Sequence, residues 1–258
     1  MLQDLAVVWF RNDLRVHDNP ALAYALQHHQ QVLCAYLDDT VANDDPAASA
    51  IWRTAAIQDL AQQLQGRLWY QVGETKESLL ALIKQHQAIA VYWNRSYEPQ
   101  GIARDKQVKA QLQSDGIRVR SFAGQLLFEP WQVRKPNGQP YRVFTPFYKA
   151  CLAQGLALPA VVPDIDKQQL YPANFVPPAQ PKINQPWVPA VTAHWQISRK
   201  GTEAQLQQFI QHGLASYAQG RDLPAQTLVS GLAPYLHCGQ LGVREAVAAV
   251  SGLPGADA

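Results

Sequence analysis

The sequence predicts a doubly wound α/β fold: a five-stranded parallel sheet covered by helices on both faces, then a connector and the first helices of a further helical unit. Three observations carry this. Five short apolar runs, Leu5–Phe10, Gln31–Leu37, Arg67–Val72, Ala88–Trp93 and Ile117–Phe122, alternate with segments of helical period. Such alternation means a parallel sheet buried on both sides. Residues 156–198 then hold eight prolines and little periodicity, and the helical period returns only from Arg199.

Taken in order, the first run breaks into a polar turn, RNDLRVHD, before Asn19 and Pro20. Asn19 suits a helix N-cap, and Pro20 suits the first helical position, where a missing N–H costs nothing. Ala48–Gln65 carries Ile51, Ala55, Leu60 and Leu64 at helical spacing and ends at Gly66. Lys76–His86 and Ile102–Ser114 are the next helices, the second stopped by Gly116. These elements give a first domain over residues 1–130. Residues 131–198 form a connecting helix (141–154) and a Pro-rich linker, which Trp187 and Trp195 are expected to pin by burial. Residues 199–258 carry a helix marked by Leu206, Phe209, Ile210 and Leu214, a loop over 218–229, and short helices at Ser230–His237 and Val243–Val250. Two or three helices are too few to close a core of their own.

Composition narrows the function classes. A hydrophobic fraction of 47% with 16% charged residues is ordinary globular composition, and a net charge of +2 permits nucleic-acid contact without arguing for it. No run approaches the ~18 apolar residues of a membrane helix, and the N-terminus lacks a secretory pattern, so a cytoplasmic protein without membrane contact is expected. Cys34, Cys151 and Cys238 are scattered and odd in number, which fits buried thiols in a reducing compartment. No histidine or cysteine spacing suggests a metal site.

Ligands of doubly wound sheets sit beyond the carboxyl ends of the strands. The candidate loops are Arg11–Asp18, Asp38–Asp45 and Asn94–Gly101. Neither GxGxxG nor GxxxxGK[ST] occurs, which excludes the usual dinucleotide and P-loop phosphate cradles. From residue types alone, Arg11, Asp13, Arg15, His17 and Asp18 read as solvated or mutually paired loop charges. On the same basis Ser230 reads as a helix cap, and Arg221 with Asp222 as a surface ion pair.

The wording of three blocks is more specific. WFRNDLRVHDNPAL near the N-terminus, YRVFTPFYKAC (Tyr141–Cys151) and YAQGRDLPAQTLVSGLAPYLHCGQL (Tyr217–Leu241) together resemble the photolyase/cryptochrome family, in its order and at about its spacing. The third block is most similar to bacterial cyclobutane-dimer photolyases. The resemblance implies that residues 1–130 are the antenna domain and that the helical segment opens an FAD-binding domain, with Tyr217, Ser230 and Leu232 as cofactor contacts. It places Arg221 toward DNA. Where the family has Thr-Ser-Arg-Leu-Ser, this chain has Val229-Ser230-Gly231-Leu232-Ala233, so two hydroxyls and a guanidinium are missing. The family's folate-linked YExNE run is here Tyr97-Glu98-Pro99-Gln100-Gly101, which disfavours folate and leaves a deazaflavin, another flavin or an empty cleft at the antenna site.

The resemblance implies light-driven repair of cyclobutane pyrimidine dimers in DNA, by electron transfer from reduced FAD, in a monomeric protein. The chain stops where a full-length member would have much of its flavin-binding half still to come. No catalytic residue is assigned, and the chain by itself is expected to repair nothing. Two alternatives stand beside this reading: a cryptochrome-like blue-light signalling flavoprotein, and a non-catalytic photolyase remnant with an aggregation-prone tail.

Overall fold

A computed structural model describes residues 4–39, 47–181 and 183–254. The greater part of the candidate loop Asp38–Asp45 therefore lies outside the described residues. Five parallel strands, β1 (Leu5–Phe10), β2 (Gln31–Asp38), β3 (Leu68–Val72), β4 (Ala90–Asn94) and β5 (Arg118–Phe122), form one sheet in the order β3-β2-β1-β4-β5. The crossovers are α1 (Pro20–His28), α2 (Ala47–Gln63), α3 (Thr75–His86) and α4 (Pro99–Ser114). Strand β1 is buried at every position because it lies in the middle of the sheet with layers on both sides. Its alternation divides the core: Ala6, Val8 and Phe10 join the cluster under α1 and α2, while Leu5, Val7 and Trp9 join the cluster under α3.

The local signals act as read. The Asn19 side chain accepts from the Leu22 N–H at 3.1 Å, with Pro20 opening α1. Gly66 and Gly116, at φ +79° and +76°, follow the helices they end. Cys34, Cys151 and Cys238 are buried thiols.

Beyond the sheet, α5 (Phe144–Gln154) starts three residues later than expected and buries Cys151 alone. The linker is held at a place the sequence did not single out. Leu170 is fully buried and bridges to Val32, and the Gln169 side chain donates to the Leu26 and His29 carbonyls at 2.6 and 2.9 Å. Trp195 does pack, edge-on to Trp52 at 5.3 Å, whereas Trp187 is 37% exposed and pins little.

The last segment is not one regular helix. After α6 (Val188–His194), α7 (Arg199–Gln208) passes into a π turn (Phe209–Gly213), a 3-10 turn (Leu214–Ser216) and the short α8 (Tyr217–Gly220). The helix expected at Ser230–His237 is trimmed to α9 (Ala233–His237), because Gly231 sits at φ +62°; α10 (Val243–Val250) closes the described chain. Leu206, Leu232, Tyr235, Cys238 and Leu241 are buried in the same cluster as α1 and α2. These helices thus add to the α/β core instead of needing one of their own, while Leu223, Val229, Leu236 and Leu253 stay exposed.

At the amino edge of the sheet, Asp4 Oδ1 lies 2.7 Å from His29 Nδ1, and His29 Nε2 lies 2.8 Å from the Tyr92 hydroxyl. Partial burial raises the Asp4 carboxyl pKa, but hydrogen bonds from His29 and the Gln30 N–H, with the nearby cations, leave it lowered overall. A lowered folded-state pKa contributes stability above the unfolded value, which is lost as pH falls through the folded one. Asp4→Asn should therefore lower the unfolding free energy at neutral pH by up to about 1 kcal/mol for so screened a group, and the urea midpoint with it. The gap from wild type should close below about pH 4 in urea melts taken as a pH series.

Candidate functional site at the carboxyl edge of the sheet

Strands β1 and β4 are neighbours in the sheet, and their outgoing connections diverge there, so a crevice opens between the two carboxyl ends. The turn after β1 is not a loop of solvated charges. Asp13, Arg15, Asp18 and Asn19 are all at most 3% exposed, and only His17 of the five expected loop charges is open to solvent. The Arg15 guanidinium donates to the Asp18 carbonyl at 2.8 Å, the Gly124 carbonyl at 2.6 Å and the Gly239 carbonyl at 3.0 Å. Burial lowers its pKa, and the Asp13 and Asp18 carboxylates oppose that shift. Asp13 in turn accepts from the Arg11 N–H and from the Asn94 side chain, both at 2.6 Å, which locks β1 to β4 across the crevice. Asp18, at φ +47°, accepts from the Ala160 N–H at 2.7 Å and faces Arg244.

Two cavities flank this turn. The first, about 260 Å³, is polar and lies over the ends of β1, β2 and β4. Trp9 forms part of its wall, with the Arg11 guanidinium 4.5 Å and that of Arg104 5.6 Å from its ring. Arg53 also lines it, opposite Ser96 and Glu98. Arg11 is held by Asp105 at 2.6 Å and by the Asn94 carbonyl, and Arg104 by Asp39. Two donors here are buried without a hydrogen-bond partner: the indole N–H of Trp9 and the Nε of Arg104. Leaving buried donors unmade costs about 1–3 kcal/mol each, so such donors mark a place suited to acceptor groups of a ligand.

The second cavity, about 350 Å³, lies between this edge of the sheet and α9, lined by Arg15, Tyr97, Gln125 and His237 among others. Beside it, Glu129 Oε1 accepts from Arg95 at 2.5 Å and from the Tyr97 hydroxyl at 2.9 Å. Burial, then the hydrogen bond to Glu129 and its charge, push the Tyr97 phenol up to about 12.

The residues singled out from sequence lie apart from both cavities. Tyr217 is half-buried against Phe209, with the Arg221 guanidinium 5.9 Å from its ring. Arg221 is half-exposed and 3.8 Å from Asp222, the surface ion pair that residue types alone suggest. Ser230 Oγ accepts from the Leu232 N–H at 3.4 Å, a local cap, and the Leu232 side chain is 6% exposed in the shared core. Helix α9 has five residues and so little dipole to offer an anion. The sequence reading missed Trp9, Arg53, Arg104, Asp105 and Glu129. Arg104 and Asp105 share the first turns of α4 immediately beyond a candidate loop, a signal that spacing alone could have raised.

The DNA photolyase family model matches residues 6–165, the sheet from the second residue of β1 onward with its switch-point turn. The chain belongs to the DNA photolyase family. A deoxyribodipyrimidine photo-lyase of Agrobacterium fabrum is 35% identical over 96% of this chain and 53% of its own length. Cryptochrome-1 of Arabidopsis thaliana is 30% identical, with 93% of this chain and 37% of that protein covered. The crystal structure of a class III photolyase from Agrobacterium tumefaciens superposes with a TM-score of 0.82 at 32% identity, covering 98% of this chain and 54% of that one. The chain thus spans about half the length of the photolyases it matches. An uncharacterized 31.6 kDa protein of Synechococcus sp. (strain PCC 6716) is nearer in length: at 31% identity, 96% of this chain covers 90% of it.

Removing the Glu129 charge tests the electrostatics of the second cavity. In Glu129→Gln the Tyr97 phenol should ionise at lower pH, toward the ordinary tyrosine value near 10. A difference titration of phenolate absorbance against wild type reads this directly.

Proposed function

We propose that this chain is the light-gathering part of a photolyase-type DNA-repair flavoprotein, with the first cavity as the seat of its antenna pigment. The observation that carries the reading is the set of unpartnered buried donors, Trp9 Nε1 and Arg104 Nε, in a cavity also walled by Arg11 and Arg53 at the switch point. That donor set fits a pigment with ring carbonyls and an anionic tail, such as a deazaflavin or another flavin. Folate is disfavoured by Pro99-Gln100 in place of the Asn-Glu pair. When bound, such a pigment would absorb blue light and pass the energy on. The residues' own part is to hold it: Trp9 offers its N–H edge, Arg104 neutralises the anionic group, and Arg11, fixed by Asp105, keeps the Trp9 ring in place.

Repair itself rests on the family. Reduced FAD supplies the electron that splits a cyclobutane pyrimidine dimer in this reading, with Tyr217, Ser230 and the Leu232 backbone as one edge of its seat and Arg221 toward the DNA. Among the described residues that edge keeps the Tyr217 and Ser230 hydroxyls, the latter also accepting from the Leu232 N–H, but Val229, Gly231 and Ala233 offer no side-chain donor. Flavin retention by this chain is accordingly expected to be weak, and the chain alone is expected to repair no dimers. Ordinary cytoplasmic location and a monomeric state go with the reading; among the described residues no helix is long and apolar enough to cross a membrane.

The test is an absorption and fluorescence titration of the purified chain with FMN, FAD and a deazaflavin. At least one should bind with micromolar affinity, and Arg104→Gln or Trp9→Phe should weaken it about tenfold, roughly one lost hydrogen bond to a charged or buried group. No binding, or binding indifferent to both substitutions, overturns the assignment of the cavity. Dimer repair by the chain alone under blue light would overturn the expectation of inactivity.

A further inference from the structure

We propose that the segment from Trp131 to Val161 is a docking face for the surface of an anionic lipid bilayer, separate from the pigment cavity. The first ground is where the exposed apolar side chains lie. Of the seventeen large apolar side chains that stand open to solvent among the described residues, nine fall between Trp131 and Val161. Helix α5 buries Cys151 alone. Phe144, Tyr148 and Leu152, at i, i+4 and i+8, therefore form one outward stripe, with Phe144 73% exposed. Leu158 and Val161, in the chain that follows, are 83% and 82% exposed.

The second ground is charge. From Pro130 to Pro163 the chain holds Arg134, Lys135, Arg142 and Lys149 and no aspartate or glutamate. Elsewhere Arg11, Arg95, Arg104, Arg199 and Arg244 each have a carboxylate within 4 Å. None of the four cations of this segment pairs with one among the described residues, and Arg134, Arg142 and Lys149 are exposed. Lys135 and Arg142 share the wall of one open hollow of about 410 Å³, between the turn at Lys135–Asn137 and the start of α5. Trp131 and Tyr148, both exposed, add amphipathic rings of the kind that settle at headgroup depth.

These are the two components of peripheral membrane binding: apolar side chains that enter the headgroup boundary, and cations that meet anionic headgroups. Other occupants fit less of the face. Aliphatic side chains as exposed as Leu158 and Val161 offer nothing to a base or a phosphate. The core of a protein interface is depleted in lysine and seats its anchors in pockets, whereas here cations and projecting apolar chains are interspersed. A second copy meeting this face across a two-fold axis would set four cations against four with no carboxylate of the segment between them. A bilayer requires no matching shape, and its charge is the complement of this one. The expectation of a chain without membrane contact rested on the lack of a spanning run and of a secretory pattern. A helix lying on the bilayer surface needs neither.

Vesicle flotation of the full chain, without flavin or DNA, tests this apart from the pigment assignment, since aggregated protein stays at the bottom of the gradient. Vesicles of phosphatidylcholine with about 30% phosphatidylglycerol should carry the protein upward at low salt, at least tenfold better than phosphatidylcholine alone. Salt at about 0.5 M should remove most of that preference. The double change Arg142→Glu/Lys149→Glu should weaken partitioning at least tenfold, and Phe144→Ser/Leu152→Ser at least fivefold. The charge-matched pair Lys84→Glu/Lys106→Glu, on α3 and α4, should stay within twofold of wild type, which separates this face from net charge. All six side chains are exposed, so the fold should survive, as far-ultraviolet circular dichroism can verify. The proposal is overturned by absence of flotation with anionic vesicles, by equal flotation with both compositions, by equal loss in the charge-matched pair, or by flotation unmoved in either face variant. It is equally overturned if Phe144→Ser/Leu152→Ser lowers the sedimentation mass of the vesicle-free protein while flotation is unchanged, the result expected of a face covered by a second copy.

Discussion

The rest of the structure depends on one guanidinium taken out of water. Arg15 is 1% exposed, and a buried arginine is tolerable only if its donors are met, since the desolvation of an ion costs several kcal/mol. Its acceptors are carbonyls of three separate segments: Asp18 in the turn after β1, Gly124 after β5, and Gly239 after α9. Satisfying Arg15 therefore fixes the start of the chain, the far edge of the sheet and the helical segment to one another at once. The glycines follow from this closeness. A Cβ at Gly239 would meet the Asn12 carbonyl at 2.0 Å, and one at Gly124 would meet the Asn94 side chain at 2.4 Å. Backbones can crowd this near a guanidinium only where there is no side chain.

Both cavities are consequences of that anchoring. With Asp13 bridging to Asn94, the ends of β1 and β4 are held as a rigid lip, and Arg11 is directed outward to Asp105 and the Trp9 ring. With Gly239 drawn onto Arg15, α9 is held over the same lip, and the space left between them is the second cavity. Arg244 adds a second stitch, donating to the Ala123 carbonyl at 2.8 Å beside Gly124. A site at a switch point is precise only to the extent that its loops are, and here the loops are fixed by charge-assisted hydrogen bonds rather than by apolar packing alone.

What was legible in the sequence is what local chemistry decides. The strand runs, the Asn19 cap with Pro20, and the stops at Gly66 and Gly116 each depend on a few neighbouring residues, and each is found in the fold. The switch-point loops were also legible, because strand order constrains where a crevice can open. The state of the charges inside them was not. Arg15 finds its acceptors 109 and 224 residues away, and no spacing rule reaches that far. The same holds for Leu170, whose burial rests on a bridge to Val32 formed by an otherwise irregular linker. Helical period past Arg199 was read correctly as helix, but its unity was not: the π turn falls at Phe209–Gly213, and a Cβ at Gly213 would meet the Phe209 ring at 2.8 Å.

A net charge of +2 conceals a division of labour among the cations. Many are consumed by the fold: Arg15 by carbonyls and Arg95 by Glu129 in the sheet half, and Arg244 on α10 by carbonyls and Asp18. They hold backbone in place, and their charge is neutralised or buried where no solution partner can feel it. Arg104, which lines the first cavity, is intermediate, paired with Asp39 through one nitrogen and left with a buried, unpartnered Nε. The cations of residues 134–149 lack carboxylates, and among the described residues nothing on their own segment could supply one. Recognition of an anion needs a charge that folding has not already used. The total charge of the chain does not locate such places; the pairing pattern does, because it separates cations that build the fold from those that folding leaves without a carboxylate.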